Sequence, residues 1–311
     1  MSLQARSNPP WAGRRWLANG WRLVRMNPFG FAMLMVTFLS GIMLLDLALH
    51  GVIAVLTGLL PGLSTRALAA VGSMLIAILI PGLWVGFMEA CKAVLRKEPV
   101  HPQLLFKGYA IDQATSRALL VLGVVYSVGL ALALLIVTSI DLPPGMLDGG
   151  AGPPQPLPPE IADGLMLRIA LAALVHLPFT LLLWYAPLLV AWHRLAPLKA
   201  MFFSLAACWR NRWAFLVYGV SCMVFIFGVS ILGGLLRLAG LGPASVVVVM
   251  PMIFILVLTI YCSMYPSYVD VFVEEADPQP VAPASLGSTA SSADRAHASA
   301  DSADAPDRRD P

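Results

Sequence analysis

Long apolar stretches alternate with short polar segments from residue 29 to residue 271. A helix that crosses the hydrocarbon core of a bilayer needs about 20 mainly apolar residues, and six stretches reach this length. They predict spanning helices over Phe29–Leu60, Ala67–Val94, Ala118–Ile140, Gly164–Trp192, Trp213–Ala239 and Ala244–Val271. The pattern therefore predicts an all-α, polytopic membrane protein with six transmembrane helices, of which the first is too long for a simple span.

The composition supports this interpretation. Of the 311 residues, 59% are hydrophobic and 12% are charged, whereas a soluble domain is about 45–50% apolar and about 25% charged. This balance excludes an ordinary soluble enzyme, a nucleic-acid-binding domain and a disordered chain. The net charge of +3 is too small to indicate a nucleic-acid partner. Membrane lipids are the expected partners, with other membrane proteins as a second class.

The basic segment before the first span resembles the start of a secretory signal. The apolar run that follows it is much longer than the roughly 7–15 residues of a signal peptide. We therefore expect this segment to be an uncleaved anchor.

Basic residues concentrate on one side of the predicted spans. That side carries Arg6, Arg14, Arg15, Arg22, Arg25, Lys92, Arg96, Lys97, Lys107, Arg117, Arg194, Lys199, Arg210, Arg212, Arg295, Arg308 and Arg309. The other side carries Arg66, Arg168 and Arg237. The positive-inside rule then predicts that both termini are cytoplasmic.

Three short segments on the basic side mix aromatic, aliphatic and basic residues: Trp11–Met26, Pro102–Ser116 and Pro197–Trp209. Each is typical of a short interfacial helix with its apolar face toward lipid. The predicted domain organisation has three parts. Residues 1–28 form a basic N-terminal segment with an interfacial helix, residues 29–273 form the six-span domain, and residues 274–311, rich in Ala, Ser, Asp and Pro, form a disordered cytoplasmic tail.

Each interfacial segment precedes an odd-numbered span, which suggests a threefold internal repeat of one interfacial helix and two spans. The motif Trp84–Gly86 in the second span parallels Tyr185–Pro187 in the fourth and Met264–Pro266 in the sixth. Repeats of this kind often frame a central site in transporters. The alternative is that aromatic and basic residues recur at any cytoplasmic interface, and the sequence leaves both interpretations open.

Ionisable residues at membrane depth are candidates for function. His176 lies nearest the middle of the bilayer and is followed by Pro178, which frees a backbone carbonyl. The imidazole could relay a proton or contact a ligand. We favour the alternative that it is neutral and hydrogen-bonded between helices.

Asp46 and His50 lie four residues apart and therefore share one face of the first span. The pair could bind a metal or pass a proton. It lies near the outer interface and has no third ligand nearby in sequence, so we favour an ordinary polar pair and predict no metal site.

Glu89 lies near the cytoplasmic end of the second span, three residues before Lys92. With Asp270 it could line a vestibule, although local ion pairs are the favoured interpretation for both carboxylates. On the same span, Gly82 and Gly86 after Pro81 predict close packing and a kink.

Several chemical signatures are absent from the sequence. It contains no phosphate-binding loop, no H-E-x-x-H, no G-x-S-x-G and no dinucleotide fingerprint. We expect no enzymatic activity and no cofactor. The expected function is a non-enzymatic membrane component that interacts with lipid or protein. The alternative is a transporter for a small solute or lipid, with a path near the midplane of the bundle.

Several stretches together resemble an uncharacterised family of multi-pass inner-membrane proteins from beta-proteobacteria: Val85–Cys91, Pro102–Gly108, Ala186–His193, Lys199–Ser204 and Trp209–Asn211. The resemblance covers roughly Trp16 to Val273 and implies no activity. The arrangement is also loosely similar to the membrane region attached to some glycerophosphodiester phosphodiesterases. The chain lacks their catalytic domain, so no hydrolase activity is implied.

Overall fold

The computed structural model describes residues 4–60, 62, 64–138 and 159–273. Residues 4–273 form one compact unit. The tail predicted over residues 274–311 lies outside the described residues, as does most of the connection between the third and fourth spans.

Among the described residues, six helical segments are long and apolar enough to cross a membrane, which confirms the predicted class. They are Pro28–Leu59, Ala67–Leu95, Gln113–Val137, Gly164–His193, Arg212–Leu238 and Ala244–Val271. Within the described residues, the β structure is one antiparallel pair of two-residue strands, β1 (Gln4–Ala5) and β2 (Phe272–Val273). The fold is therefore all-α apart from this short strand pair, which joins the two ends of the unit.

The first span is one continuous helix, α2 (Pro28–Leu59), of 32 residues. At about 1.5 Å per residue it is longer than the roughly 30 Å hydrocarbon core, as the sequence predicts. It begins sharply because the Asn27 side chain accepts a hydrogen bond from the Gly30 amide and Pro28 takes the first helical position.

The second span is broken into α3 (Thr65–Ala77) and α4 (Ile80–Leu95). Pro81 lies in the first turn of α4. Proline has no amide hydrogen, and its ring clashes with the carbonyl four residues earlier, which here is that of Ala77, the last residue of α3. The predicted kink is confirmed.

The fourth span is also broken, which the sequence analysis did not predict. It comprises α6 (Pro159–Leu183) and α7 (Ala186–His193), with Pro187 in the first turn of α7. The other four spans are single helices: α2, α5 (Gln113–Thr138), α9 (Arg212–Leu238) and α10 (Gly242–Val271). Pro266 lies inside α10 without breaking it.

Consecutive spans pack as hairpins: α2 with α3, α5 with α6, and α9 with α10. The starts of the odd-numbered spans and the ends of the even-numbered spans meet at one end of the bundle. We call this end, with residues 4–27, 96–112 and 194–211, the basic end.

The first interfacial segment is a helix, α1 (Ala12–Met26), but its environment differs from the expectation. Its apolar face packs against α9 and α10 rather than facing lipid. Gly13 leaves no room for a side chain beside Ala214, and a Cβ atom at Gly20 would lie 2.6 Å from the Thr259 carbonyl oxygen. The small residues therefore fit α1 to the protein.

The second segment, predicted as a short interfacial helix over Pro102–Ser116, is helical over a shorter range. It is a 3₁₀ helix, η1 (Pro102–Tyr109), and Ser116 already belongs to α5. Gly82 and Gly86 provide the predicted close contact, and their neighbours are the ring of Tyr109 and the backbone of Leu105 in η1. The third segment forms the predicted helix, α8 (Pro197–Arg210).

The three segments make corresponding contacts. Segment η1 packs on the second span, α8 on the fourth and α1 on the sixth. An Asn or Asp residue immediately precedes each odd-numbered span: Asn27, Asp112 and Asn211. These correspondences support the interpretation of three related units, although the helix breaks occur at different places in the second and fourth spans.

Candidate functional site at the basic end

The three even-numbered spans converge at the basic end. Helix α4 contacts both α7 and α10. The Tyr268 ring of α10 lies 4.9 Å from that of Trp192 and 6.0 Å from that of Tyr185, between ring centroids. Val85, Phe87, Cys91, Leu189 and Val271 are fully buried nearby. The even-numbered spans are thus packed together at this end.

Glu89 links two of these spans. Its Oε1 atom accepts hydrogen bonds from the Trp192 indole at 2.6 Å and from Lys92 Nζ at 3.2 Å. Lys92 Nζ also lies 3.3 Å from the centroid of a Trp192 ring, a cation–π contact. The side chains of Glu89 and Lys92 are only 15% and 24% exposed. The ion pair expected from their spacing is present, and Trp192 makes it a contact between spans.

A second contact joins the fourth and sixth spans. His193 Nε2 and the Tyr268 hydroxyl are hydrogen-bonded at 2.6 Å. Because Trp192 and His193 are adjacent, one turn of α7 bonds to α4 on one side and to α10 on the other. This turn is the centre of the candidate site.

Asp270 joins α1 to α10. One of its carboxylate oxygens accepts from Arg15 Nη2 at 2.8 Å and from the Trp16 indole at 2.7 Å. Trp16 is fully buried. The sequence suggests an ion pair at this helix end, and the structure supplies its partner from the N-terminal helix.

Asp112 has a corresponding role before α5. It accepts hydrogen bonds from the amide and hydroxyl of Thr115, both at 2.8 Å, and forms an ion pair with Arg194. The bonds from Thr115 lower the pKa of the Asp112 carboxyl below its ordinary value, and the Arg194 charge adds to the shift. The connection after the fourth span is thereby tied to the start of the third.

The other predicted residues lie in separate surroundings. His176 on α6 contacts the Tyr126 ring of α5 edge-on, with 6.3 Å between centroids. Its Nδ1 atom is buried and has no hydrogen-bond partner among the described residues. The hydrogen bond between helices that we favoured is therefore not made by Nδ1 within that part of the chain.

Asp46 and His50 form the local pair that their spacing predicts. His50 Nδ1 lies 3.3 Å from Asp46 Oδ2 and 2.9 Å from the Asp46 carbonyl oxygen, and both side chains are about half exposed. Across the described ranges, no group of three or more His, Cys, Asp or Glu residues could hold a metal ion. The predicted polar residues thus lie in separate settings: His176 against α5, Asp46 with His50 on α2, Asp270 against α1, and Glu89 at the contact between α4 and α7.

Sequence reasoning missed the aromatic members of the site. The sequence pattern assigns no functional role to Trp192, His193, Tyr268 or Trp16. The available signal was the recurrence of Trp, Tyr and His in the last turns of the fourth and sixth spans, where an isolated polar tip needs a partner.

A second group of aromatic residues lies farther from the basic end. The Trp84 ring lies 6.3 Å from that of Trp184 and 6.4 Å from that of Tyr261, between centroids. Both indole nitrogens are buried without a hydrogen-bond partner among the residues that the structure covers. Buried donors of this kind are uncommon and call for an explanation.

One comparison identifies a relative. The chain is 32% identical over 263 residues to a Burkholderia thailandensis protein named as a probable inner membrane protein. The alignment covers 82% of this chain and 89% of the relative. No family model matches the chain, and no solved structure matches it. The chain belongs to the same family as this relative from a beta-proteobacterium, in agreement with the resemblance found in the sequence.

Proposed function

We propose that this member of the inner-membrane family is a non-enzymatic component of the membrane that binds anionic phospholipid headgroups at its basic end. We further propose that the basic end and both termini face the cytoplasm, as the distribution of Lys and Arg indicates. Three carboxylates of the described region lie in ion pairs: Asp112 and Asp270 pair with residues of other elements, whereas Glu89 pairs with Lys92 of its own helix and bonds to Trp192 of α7. These contacts support a structural role for them.

The observation that carries the proposal is the corner between α8 and α9. The Arg212 guanidinium lies 5.9 Å from the Trp209 ring centroid and 5.7 Å from that of Trp213. The two tryptophans are 66% and 58% exposed, and Arg210 is exposed beside them. Aromatic rings at headgroup depth with adjacent guanidinium groups suit a surface of anionic lipid.

The opposite face of α8 explains why these side chains point outward. Ala200, Ser204, Ala207 and Cys208 are buried against the bundle, while Phe202 is among the exposed apolar residues. Fixing α8 by one face leaves its aromatic and basic residues available to lipid.

Lipid enrichment tests this proposal. We would reconstitute the protein in nanodiscs of phosphatidylethanolamine and phosphatidylglycerol and measure by mass spectrometry which lipids remain with it. The double variant Arg210→Gln/Arg212→Gln should lower phosphatidylglycerol enrichment several-fold. Arg237→Gln is the matched control, because Arg237 is exposed at the other end of α9. Equal enrichment in both variants would refute the proposal.

Transport along a path near the middle of the bundle is the second candidate function. The observation that favours it is the set of buried, unpartnered nitrogens of Trp84, Trp184 and His176 within the described part of the chain, because a passing solute or water could satisfy them. His176→Ala and Glu89→Gln should then impair a strain that needs the protein. An unchanged phenotype with normal protein levels would count against this path.

A further inference from the structure

An apolar groove runs between the first and second spans and ends at η1. Its walls include Gly41, Ile42 and Leu45 of α2, Leu79 and Leu83 of the second span, and Phe106 of η1. Its volume is about 180 Å³, which exceeds the roughly 150 Å³ that suffices to hold benzene in an apolar cavity. The groove can therefore hold a segment of hydrocarbon chain.

The polar groups along the groove are already bonded within the protein. The Thr37 hydroxyl donates to the Met33 carbonyl at 2.8 Å, and the Tyr109 hydroxyl donates to the Leu79 carbonyl at 2.9 Å. The Leu79 carbonyl, at the break of the second span, also accepts from the Leu83 amide at 3.3 Å. A polar ligand would find few free hydrogen-bond partners here, whereas a hydrocarbon chain has no polar group that would be left unpaired.

The groove lies on the exposed surface of the bundle, and a lysine directly follows Phe106, one of its lining residues. Leu45, Leu79 and Phe106 are among the exposed apolar side chains, and in a spanning protein such surface faces acyl chains. Lys107, next to Phe106, is exposed, as are Arg96 and Lys97 in the same connection. These cations complement the phosphate of a lipid headgroup at the depth where acyl chains begin.

From these observations we propose that the groove is a binding site for one anionic phospholipid, with an acyl chain between α2 and the second span and the phosphate beside Lys107. The inference rests on the proposed function in one respect, because both take the ligand to be an anionic phospholipid. It concerns a different surface, far in sequence from Arg210 and Arg212, and predicts a single retained molecule rather than general enrichment.

Gly41 allows the groove to be filled without disturbing the protein. A Cβ atom built on Gly41 meets no atom within 4 Å, and the same holds for Gly51 on the same helix. Gly41 lines the groove, whereas Gly51 is exposed outside it. Replacing either glycine raises helix propensity, so Gly41→Phe and Gly51→Phe form a matched pair, with Gly41→Leu as a smaller second variant.

The experiment is native mass spectrometry of protein extracted from phosphatidylglycerol-containing membranes and washed in mild detergent. The wild type and Gly51→Phe should retain one tightly bound phosphatidylglycerol, and Gly41→Phe and Gly41→Leu should lose it. Lys107→Gln should lower the preference for phosphatidylglycerol over phosphatidylethanolamine at least several-fold.

Equal retention in the Gly41 and Gly51 variants would overturn the inference, as would a change of oligomeric state in Gly41→Phe without loss of lipid. Arg210→Gln/Arg212→Gln should keep the single retained lipid. If that variant lowers enrichment while the Gly41 variants change nothing, the inference fails and the proposed function stands. If the Gly41 variants lose the retained lipid while Arg210→Gln/Arg212→Gln leaves enrichment unchanged, the inference stands and the proposed function fails.

Discussion

At the scale of single residues, the Ser204 side chain supplies hydrogen bonds to the backbone at the break between α6 and α7. Its hydroxyl donates to the Leu181 carbonyl at 2.8 Å and accepts from the Tyr185 amide at 3.0 Å. Both backbone groups lie at the break between α6 and α7, where the helix cannot satisfy them. Ser204 is fully buried, so water cannot readily replace it.

Replacing Ser204 by Ala should therefore destabilise the protein by about 1–3 kcal/mol, the typical cost of leaving a buried polar group unsatisfied. The measurement is the thermal unfolding midpoint in detergent, followed by fluorescence-detected size exclusion. Ser221→Ala is the control, because its hydroxyl bonds to the Val217 carbonyl of its own helix. Equal midpoints for the two variants would contradict this account of Ser204.

Asp112 gives the protein a predictable response to acid. Its folded pKa is lowered, first by the bonds from Thr115 and then by Arg194, so its contribution to stability is present above the unfolded pKa of about 3.9. That contribution is lost as the pH falls through the lower, folded pKa.

Asp112→Asn keeps a side-chain acceptor at the start of α5 but removes the charge. We expect a lower unfolding midpoint near neutral pH and a smaller loss of stability on acidification than in the wild type. Unfolding midpoints measured from pH 7 to pH 3 would show this. Glu98 is exposed, and Glu98→Gln should lose as much stability on acidification as the wild type. The same loss in Asp112→Asn would disprove the contribution assigned to Asp112.

Predictability at this scale depends on separation along the chain. Lys92 was expected beside Glu89 because three residues bring side chains onto one helix face. Trp192 was not, because it is 103 residues from Glu89 and no local pattern indicates which spans adjoin. The pairing of Asp270 with Arg15 could not be predicted for the same reason, because the two residues are 255 positions apart in the sequence.

At the scale of elements, the second span is fitted to η1 through its glycines. A Cβ atom at Gly86 would overlap the backbone of Leu105, and one at Gly82 would overlap the Tyr109 ring. Backbone cannot move aside as a flexible side chain does. This contact explains why an element as short as η1 holds its position.

Gly86→Ala should consequently destabilise the protein by about 1–3 kcal/mol or more, the range for overpacking, although alanine is the better helix former. Gly219→Ala on α9 is the matched control, because a Cβ there meets nothing within 4 Å, and it should gain up to about 1 kcal/mol. Thermal midpoints of the two purified variants compare these effects. A Gly86→Ala protein as stable as Gly219→Ala would contradict the contact.

The six spans could be predicted because apolar length is a local property of the sequence. Their internal breaks were only partly predictable. Pro81 and Pro187 each lie just after a break, whereas Pro266 lies within a continuous helix. Proline removes one hydrogen bond in each case, and packing decides whether the helix separates or bends.

At the scale of the whole molecule, the proposed orientation makes a direct prediction for chemical labelling. Lys199 is exposed at the basic end and Arg237 at the opposite end of α9. The four native cysteines, Cys91, Cys208, Cys222 and Cys262, are buried, so background labelling should be low.

In spheroplasts, a membrane-impermeant maleimide should label Arg237→Cys and leave Lys199→Cys unlabelled until the membrane is permeabilised. The readout is the mass shift of each variant, relative to the wild type, before and after permeabilisation. Labelling of Lys199→Cys in intact spheroplasts would reverse the proposed topology.

The segments α1, η1 and α8 differ in whether they are synthesised before or after the spans on which they pack. Segments η1 and α8 pack on spans that have already left the ribosome when they emerge. Helix α1 emerges first, yet its partners are α9 and α10, and β1 pairs with β2 at the far end of the unit. The buried face of α1 thus has neither partner until the fifth and sixth spans are made, and we expect its packing to be completed after that of η1 and α8.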